Sequence, residues 1–410
     1  MSLDFQQIRQ QVQQLGAEAV GRQAHLENLR IQAEALLGQY TDQTDELRQR
    51  VLQVVRSYDP SLRCAMPVDE ALDFRGGLPA APAEASLLAA DGSQIFMDRH
   101  AEVQYGLVNA GAILMRHGTS QPPVTHVESQ LFYHDALERM TDATLALRRD
   151  LDERKLLADL AAQAAPPAQA APPAQAAPPV VTFTDGPMEL WGAVNEGGEQ
   201  ASQFQKSLQE YLEALERLHA LGTITAGYVD RPGADLVVRL LEVAYLVEQA
   251  RAGAADLSQI RKLRPLRGIT DRDLYERILQ PGERSAVFAM QSQSAKQYED
   301  ALALHFFYLN VGQENEAYLA RVEVPLWVAQ DAAQLDVLHA ILVGQCRILG
   351  SRPYPYLLHR AHETAVVSFD EKDQVTQMIV NELLRHGVSV PRRSFKQSAK
   401  DAGPRKGYGT

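Results

Sequence analysis

Two apolar runs that end alike constrain this chain more than any other feature. The first is Leu87-Leu88-Ala89-Ala90-Asp91-Gly92-Ser93-Gln94, and the second is Val180-Val181-Thr182-Phe183-Thr184-Asp185-Gly186-Pro187. Each reads as a buried strand that stops at a tight turn. Each would deliver a carboxylate to a strand's C-terminal end, where open α/β sheets carry their ligands. Two aspartates placed this way can share a hard divalent cation, as phosphodiester hydrolysis requires. A single Asp-Gly pair says little, because it is a common turn. Two pairs, each closing an apolar run, say more.

At 410 residues the chain can bury a large core in two or three domains. No apolar run is long enough to span a bilayer. The Gln-rich stretch from Met1 to Gly38 does not read as a signal peptide. Cys64 and Cys346 stand alone, without zinc spacing or a disulfide framework, so a reducing cytoplasm is the expected setting. A net charge of -12 argues against a protein that coats nucleic acid nonspecifically. The charge is uneven, however. From Arg392 onward, Arg392, Arg393, Lys396, Lys400, Arg405 and Lys406 face Asp401 alone, a net of +5 that leaves -17 elsewhere. This basic segment, 391–410, reads as disordered, either solvated or in contact with phosphate.

The first 60 residues read as a helical region. Phe5, Ile8, Val12 and Leu15, then Leu26, Leu29, Ile31, Leu36 and Leu37, recur at helical spacing in one long helix or a hairpin of two. That face either packs on its own domain or meets a second copy. After a Pro- and Gly-containing connector, a main domain is expected over 83–390. Leu87–Asp91, Glu102–Asn109 and Ala112–Arg116 read as successive strands, with Gly111 breaking the last two. Residues 135–163 read as a helix. The Ala-Ala-Pro-Pro-Ala-Gln repeat over 164–179 is an extended, semi-rigid insertion. Strand and helix then alternate in an α/β pattern: a strand over Ile224–Val229, a helix over 234–250, a strand near 320 and a helix over 331–348. A last strand over Ala365–Ser368 precedes a closing helix.

The chemistry centres on Asp91 and Asp185, whose bland alternative is a capping role. Asp230, in Asp230-Arg231-Pro232, is a third strand-end aspartate that Arg231 could neutralise. A metal nuclease needs a further carboxylate, often from a helix. Glu128, Glu138, Asp150, Asp152 and Glu153 are candidates, and spacing alone does not choose among them. Near the C-terminus, Tyr354 and His362 flank a Pro-rich turn and a helix start. A histidine there could ligate metal or protonate a leaving oxygen, and a tyrosine could position phosphate or water. His359 lies one turn earlier on the same helix.

These pieces, in this order, resemble the NurA nucleases, which partner the HerA hexameric translocase in DNA end processing. The resemblance is carried by Ala90-Asp91-Gly92-Ser93, Thr184-Asp185-Gly186-Pro187 and Gly227-Tyr228-Val229-Asp230-Arg231-Pro232. It continues through Leu279-Gln280-Pro281-Gly282-Glu283-Arg284-Ser285 and Ala320-Arg321-Val322-Glu323-Val324-Pro325. It ends on Tyr354-Pro355-Tyr356-Leu357 and Ala361-His362-Glu363, so that it covers about residues 85 to 385.

It implies an α/β fold with a ribonuclease H-like mixed sheet flanked by helices, a homodimer, and Mn²⁺- or Mg²⁺-dependent cleavage of DNA. The implied activities are 5′–3′ exonuclease on DNA ends and single-strand endonuclease, within end resection and recombinational repair. The family's acidic set maps to Asp91, Asp185 and a helix glutamate, Glu153 or Glu138. Its tyrosine and histidine map to Tyr354 and His362. Metal would be held by Asp91, Glu153, Asp185 and His362, with Asp230 a further acidic candidate. Arg231, Arg284, Arg392, Arg393 and Lys396 are the expected contacts to single-stranded DNA and duplex ends. The Ala/Pro insertion departs from the family pattern and blurs the choice of glutamate. Two rivals remain: an actin-like ATPase, which lacks its adenosine-binding glycine pair here, and a non-catalytic dimeric adaptor that stimulates a translocase.

Overall fold

The computed structural model describes residues 3–97, 103–133, 141–164, 177–192, 198–314 and 316–390. Glu138, most of the Ala/Pro insertion and the basic segment with Arg392, Arg393 and Lys396 lie outside the described residues. The protein is mixed α/β, with a mixed sheet, flanking helices and a pair of N-terminal helices. It divides into two compact units that the chain enters more than once. One holds Met1–Pro82, Gly186–Glu189 and Thr225–Pro355, and the other Ala83–Asp185, Leu190–Ile224 and Tyr356–Thr410. The N-terminal helices fall in the first unit, and residues 83–390 fall in both.

In the first unit, α1 (Phe5–Tyr40) and α2 (Thr44–Ser57) follow one another across a short link. Asp4 caps α1 by accepting from the Gln6 and Gln7 amides. Both helices dock on α5 (Leu236–Arg251): Tyr40 Oη donates to Glu248 at 2.6 Å, and Arg50 Nη1 donates to the Ala244 carbonyl at 3.1 Å. Leu29, Ala33, Leu37, Leu47, Val51 and Val54 are buried there. The sheet of this unit runs β1 (Cys64–Pro67), β7 (Phe288–Gln291), β8 (Leu304–Asn310), β9 (Leu319–Pro325), β6 (Ile224–Asp230), and these neighbours pair antiparallel. Asp271, at the start of α6 (Asp271–Ile278), is fully buried. It accepts from the Val237 and Val238 amides and from Tyr308 Oη, and so caps α5 from outside.

The second unit carries the other sheet segment. Its order is β5 (Val180–Asp185), β2 (Ala85–Ile95), β3 (Gly106–His117), β4 (Val124–Phe132). β2, β3 and β4 form an antiparallel meander, and β5 lies parallel to β2. A parallel neighbour needs a crossover, supplied by α3 (Asp142–Ala164). Alternate side chains sort the faces. Val108 packs with Leu145 of α3, while Leu107 joins Ile95 and Tyr105 under Val375 and Ile379 of α10 (Phe369–Arg385). Thus α3 covers one face, and α9 (Tyr356–Ala365) and α10 cover the other. α4 (Glu199–Ala220) pairs with α3 through Lys155–Glu210 and Arg217–Asp159.

Two sequence expectations are corrected by glycines. β2 does not stop at Asp91 but runs on through Gly92 to Ile95. β3 is one strand through Gly111 rather than two strands broken by it. In both places glycine admits a neighbouring element, without making a turn. The expected strand over 365–368 is absent; Val366 and Val367 link α9 to α10, whose start is set by a Ser368–Glu371 capping box.

Candidate active site

Asp91 sits mid-strand, opposite Gly111 in the β2–β3 register. A β-carbon at Gly111 would lie 2.7 Å from the Ala365 amide nitrogen, so only glycine lets the end of α9 rest on the sheet. The same face offers Ser93 Oγ and Asn109 Nδ2, which both donate to the Ala365 carbonyl, at 2.6 and 2.7 Å. Three side-chain and backbone features of β2 and β3 therefore dock α9 at one height. The consequence is that His362 of α9 reaches Asp91, with Nδ1 2.6 Å from Oδ2. A carboxylate accepts only, so Nδ1 carries the proton, and Nε2 is the nitrogen left to face solvent. The other Asp91 oxygen accepts from the Gly92 amide at 2.8 Å. The histidine side chain is 61% exposed and the aspartate 16%, an arrangement open to a ligand from the histidine side.

Asp185 comes to the same face. β5 and β2 pair in parallel up to Ala90↔Thr184, so Asp91 and Asp185 are the next residues of neighbouring strands and point the same way. Asp185 is exposed at the end of β5. Gly186 then turns the chain with φ +88°, and its amide donates to the Tyr228 carbonyl at 2.8 Å.

Glu153 approaches β2 from the α3 face. A β-carbon at Gly92 would lie 2.7 Å from Glu153 Oε1 and 2.4 Å from Arg149 Cγ, so Gly92 is what admits the glutamate to the strand. Glu153 is buried, and burial, reinforced by the Asp150 and Asp91 carboxylates, pushes its pKa well above the usual carboxylate range. Asp150 is raised too, chiefly by burial and against the pull of Arg149. Arg149 bridges this cluster: Nη2 to Asp150 at 2.6 Å, Nε to Glu153 at 3.4 Å and Nη1 to Gln94 at 3.1 Å. Arg154 is buried beneath it, donating to Thr184 Oγ1 at 2.9 Å with its guanidinium 5.5 Å from the Tyr211 ring centre. Asp152 pairs with Arg148 on the same helix, away from Asp91.

In this way Asp91, Asp185 and His362 share one face, and Glu153 with Asp150 reaches the strand from the other. Among the described residues, no three His, Cys, Asp or Glu side chains stand gathered as one ion would require. The donor set is nonetheless that of a hard cation: carboxylate oxygens with one imidazole, carrying more negative charge than the burial of Glu153 tolerates.

Tyr354, Asp230, Arg231 and Arg284 lie in the first unit. Tyr354 packs edge-on against Tyr228, ring centres 5.8 Å apart. Asp230 ends β6 and accepts from Tyr318 Oη at 3.1 Å, with burial raising its pKa. Arg231 is exposed, holds a left-handed φ of 41° and stacks over Tyr318. Arg284, expected to touch DNA, is instead buried: both terminal nitrogens grip Glu70, at 2.9 and 2.8 Å, above the Phe74 ring. Its guanidinium is committed inside the fold. His359 pairs with Glu363 at 3.5 Å. Sequence reasoning missed Arg149. The signal was present, since Arg149 and Glu153 are one helical turn apart.

The NurA domain model matches residues 85–367, from the start of β2 to just beyond α9. The chain belongs to the NurA family. The matched span carries Asp91, Glu153, Asp185, Tyr354 and His362 together. The chain is similar to the NurA nuclease from Sulfolobus solfataricus, at 13% identity and TM-score 0.46, covering 90% of this chain and 98% of that one. It is also similar to a second NurA structure (11% identity, TM-score 0.33, 75% and 90% covered). The catalytic domain of human Endonuclease V follows, at 13% identity and TM-score 0.30, with 82% and 98% covered. These likenesses are distant, and membership rests on the NurA domain. No curated protein matches the chain. No described helix is long and apolar enough to cross a membrane.

Proposed function

We propose that this chain, a nuclease by family, is a divalent-metal-dependent deoxyribonuclease. The reading extends to 5′–3′ exonuclease on DNA ends and single-strand endonuclease, exercised as a homodimer with a HerA-type hexameric translocase in end resection. The observation that supports the chemistry is the 2.6 Å contact between His362 and Asp91, on the strand that pairs in parallel with the one ending in Asp185.

Asp91 and Asp185 would hold the metal, Mn²⁺ or Mg²⁺; Glu153 is the third carboxylate on the family resemblance alone, since α3 brings it to β2 from the other face. When bound, such an ion lowers the pKa of water and neutralises charge on the phosphate. The chain's own residues do the rest. Asp91 fixes the His362 ring through Nδ1–H, so Nε2 is presented outward, where it can ligate metal or hand a proton to a leaving oxygen. Arg149 holds Glu153 and Asp150 in place and offsets part of their charge. Ser93 and Asn109 keep the end of α9, and hence His362, at the height of Asp91.

End-labelled DNA incubated with the pure protein and Mn²⁺, Mg²⁺ or EDTA tests this directly. Cleavage with a divalent ion and none in EDTA is the expected result. Binding to a HerA-type ATPase without cleavage under any metal would replace the nuclease by an adaptor.

A further inference from the structure

The first 20 residues of α1 extend past anything that covers them. Every residue from 3 to 25 is exposed, whereas Leu29, Ala33, Leu37 and Tyr40 of the same helix are buried. At 1.5 Å per residue the uncovered part is about 30 Å long. It is a poor helix by itself: Gly16 and Gly21 lie inside it, with β-branched Ile8, Val12 and Val20, and isolated helices of this length are marginal in water.

One stripe follows an alternating three-four spacing: the apolar Phe5, Ile8, Val12, Leu15 and Ala19, then the cationic Arg22. The same seam continues as Leu26, Leu29 and Ala33, where it enters the body of its own chain. A strict 3.5-residue repeat is a coiled-coil seam. The segment from Leu3 to His25 holds Asp4, Arg9, Glu18 and Arg22, a net charge of zero in a chain of -12. Two copies of it can therefore approach without the repulsion that the rest of the chain would impose.

We infer that this segment pairs with the same segment of a second copy, antiparallel. The inference rests on the homodimer proposed above and names the surface that makes it. Arg22 decides the direction. It occupies a seam position, and in a parallel pair it would face its own copy. In the antiparallel pair the seam layers are Val12 with Leu15, Ile8 with Ala19, and Phe5 with Arg22. Each small or medium side chain then meets a larger one, and the guanidinium lies against an aromatic ring, where a cation is stabilised. A parallel pair would put Ala19 on Ala19 and leave a gap in the seam.

Cysteine cross-linking of the full-length protein tests both partner and direction. Cys64 and Cys346 are buried, so introduced surface thiols are the reactive ones. The variant with Ile8→Cys and Ala19→Cys should run as a covalent two-chain species after mild oxidation. Ile8→Cys alone should not, since in the antiparallel pair it lies 11 residues, or about 16 Å, from its copy, beyond the roughly 7 Å a disulfide can bridge. Cross-linking by the single variant as efficient as by the double would overturn the antiparallel pair. Light scattering adds the second arm: Val12→Asp with Leu15→Asp should halve a two-chain mass and leave the melting temperature of the body intact. A two-chain mass that survives those changes means the copies meet elsewhere, which sinks this inference and spares the homodimer. A one-chain mass for the unmodified protein removes both. In that case, loss of ATPase co-elution on Val12→Asp with Leu15→Asp would assign the face to the ATPase instead.

Discussion

Asp91-Gly92 and Asp185-Gly186 look interchangeable in sequence, yet the fold uses their glycines for opposite ends. Gly186 has φ +88°, and nothing lies within 4 Å of where its side chain would be; its use is conformational. Gly92 is part of an extended strand, and a side chain there would strike Arg149 and Glu153; its use is spatial. The two aspartates still arrive side by side, because parallel pairing from Ser86↔Val180 to Ala90↔Thr184 sets them at one level. The lesson is that a motif's letters can repeat while its mechanics do not.

The largest expected effects test what the pairs share. Asp91→Ala and Asp185→Ala should each reduce cleavage of end-labelled DNA to background while circular dichroism stays unchanged. Activity above a few per cent in either would break the equivalence of the two carboxylates. His362→Ala should lower single-turnover rates by roughly 10²–10⁴-fold, the scale of a lost acid–base group, with the melting temperature and DNA affinity in Ca²⁺ little altered. A fall in melting temperature with a normal rate would make His362 a brace for the turn before α9.

Next come the glycines, where the pairs should part. Gly92→Ala forces Glu153 or Arg149 aside, an overpacking cost of about 1–3 kcal/mol, and should lose activity along with stability. Gly186→Ala keeps its surroundings clear and meets only backbone strain, about 1–2 kcal/mol. It should lower the melting temperature more than it lowers the rate per folded molecule. Equal behaviour of the two variants in both assays would erase the distinction.

The carboxylates beyond the pairs sharpen it further. Glu153 is an acid whose folded-state pKa is raised, so the metal-free fold loses stability as pH rises above the unfolded value of about 4.5. Glu153→Gln should therefore raise the melting temperature in EDTA at neutral pH, the gain shrinking toward pH 4.5, while abolishing cleavage. Exposed Asp185→Asn should show no such gain. Calorimetry across that range reads the difference. The smallest effect is expected from the insertion. Ala164 is buried at the end of α3, and the Pro179 carbonyl accepts from the Ser86 amide. Deletion must therefore stay within 165–176; with a Gly-Ser bridge it should leave cleavage and melting temperature largely unchanged.

Much of this protein is legible from its sequence, because periodicity is a local property. The helical spacing of the first 60 residues, the apolar runs of β2 and β5, and the strand and helix alternation after 200 all follow from which side chains must leave water. The family pattern likewise picks out Asp91, Asp185 and His362 as a group. What the tertiary structure alone decides is which of several local meanings a residue takes. Gly92 and Gly111 could turn or admit a neighbour, and only the arrival of α3 and α9 settles it. Arg284 could reach DNA or fill a core, and Glu70, 214 residues away in the chain, commits it to the core. The bond between Asp91 and His362 joins residues 271 apart. No local pattern encodes such a contact, since it depends on where the chain returns after building much of the other unit.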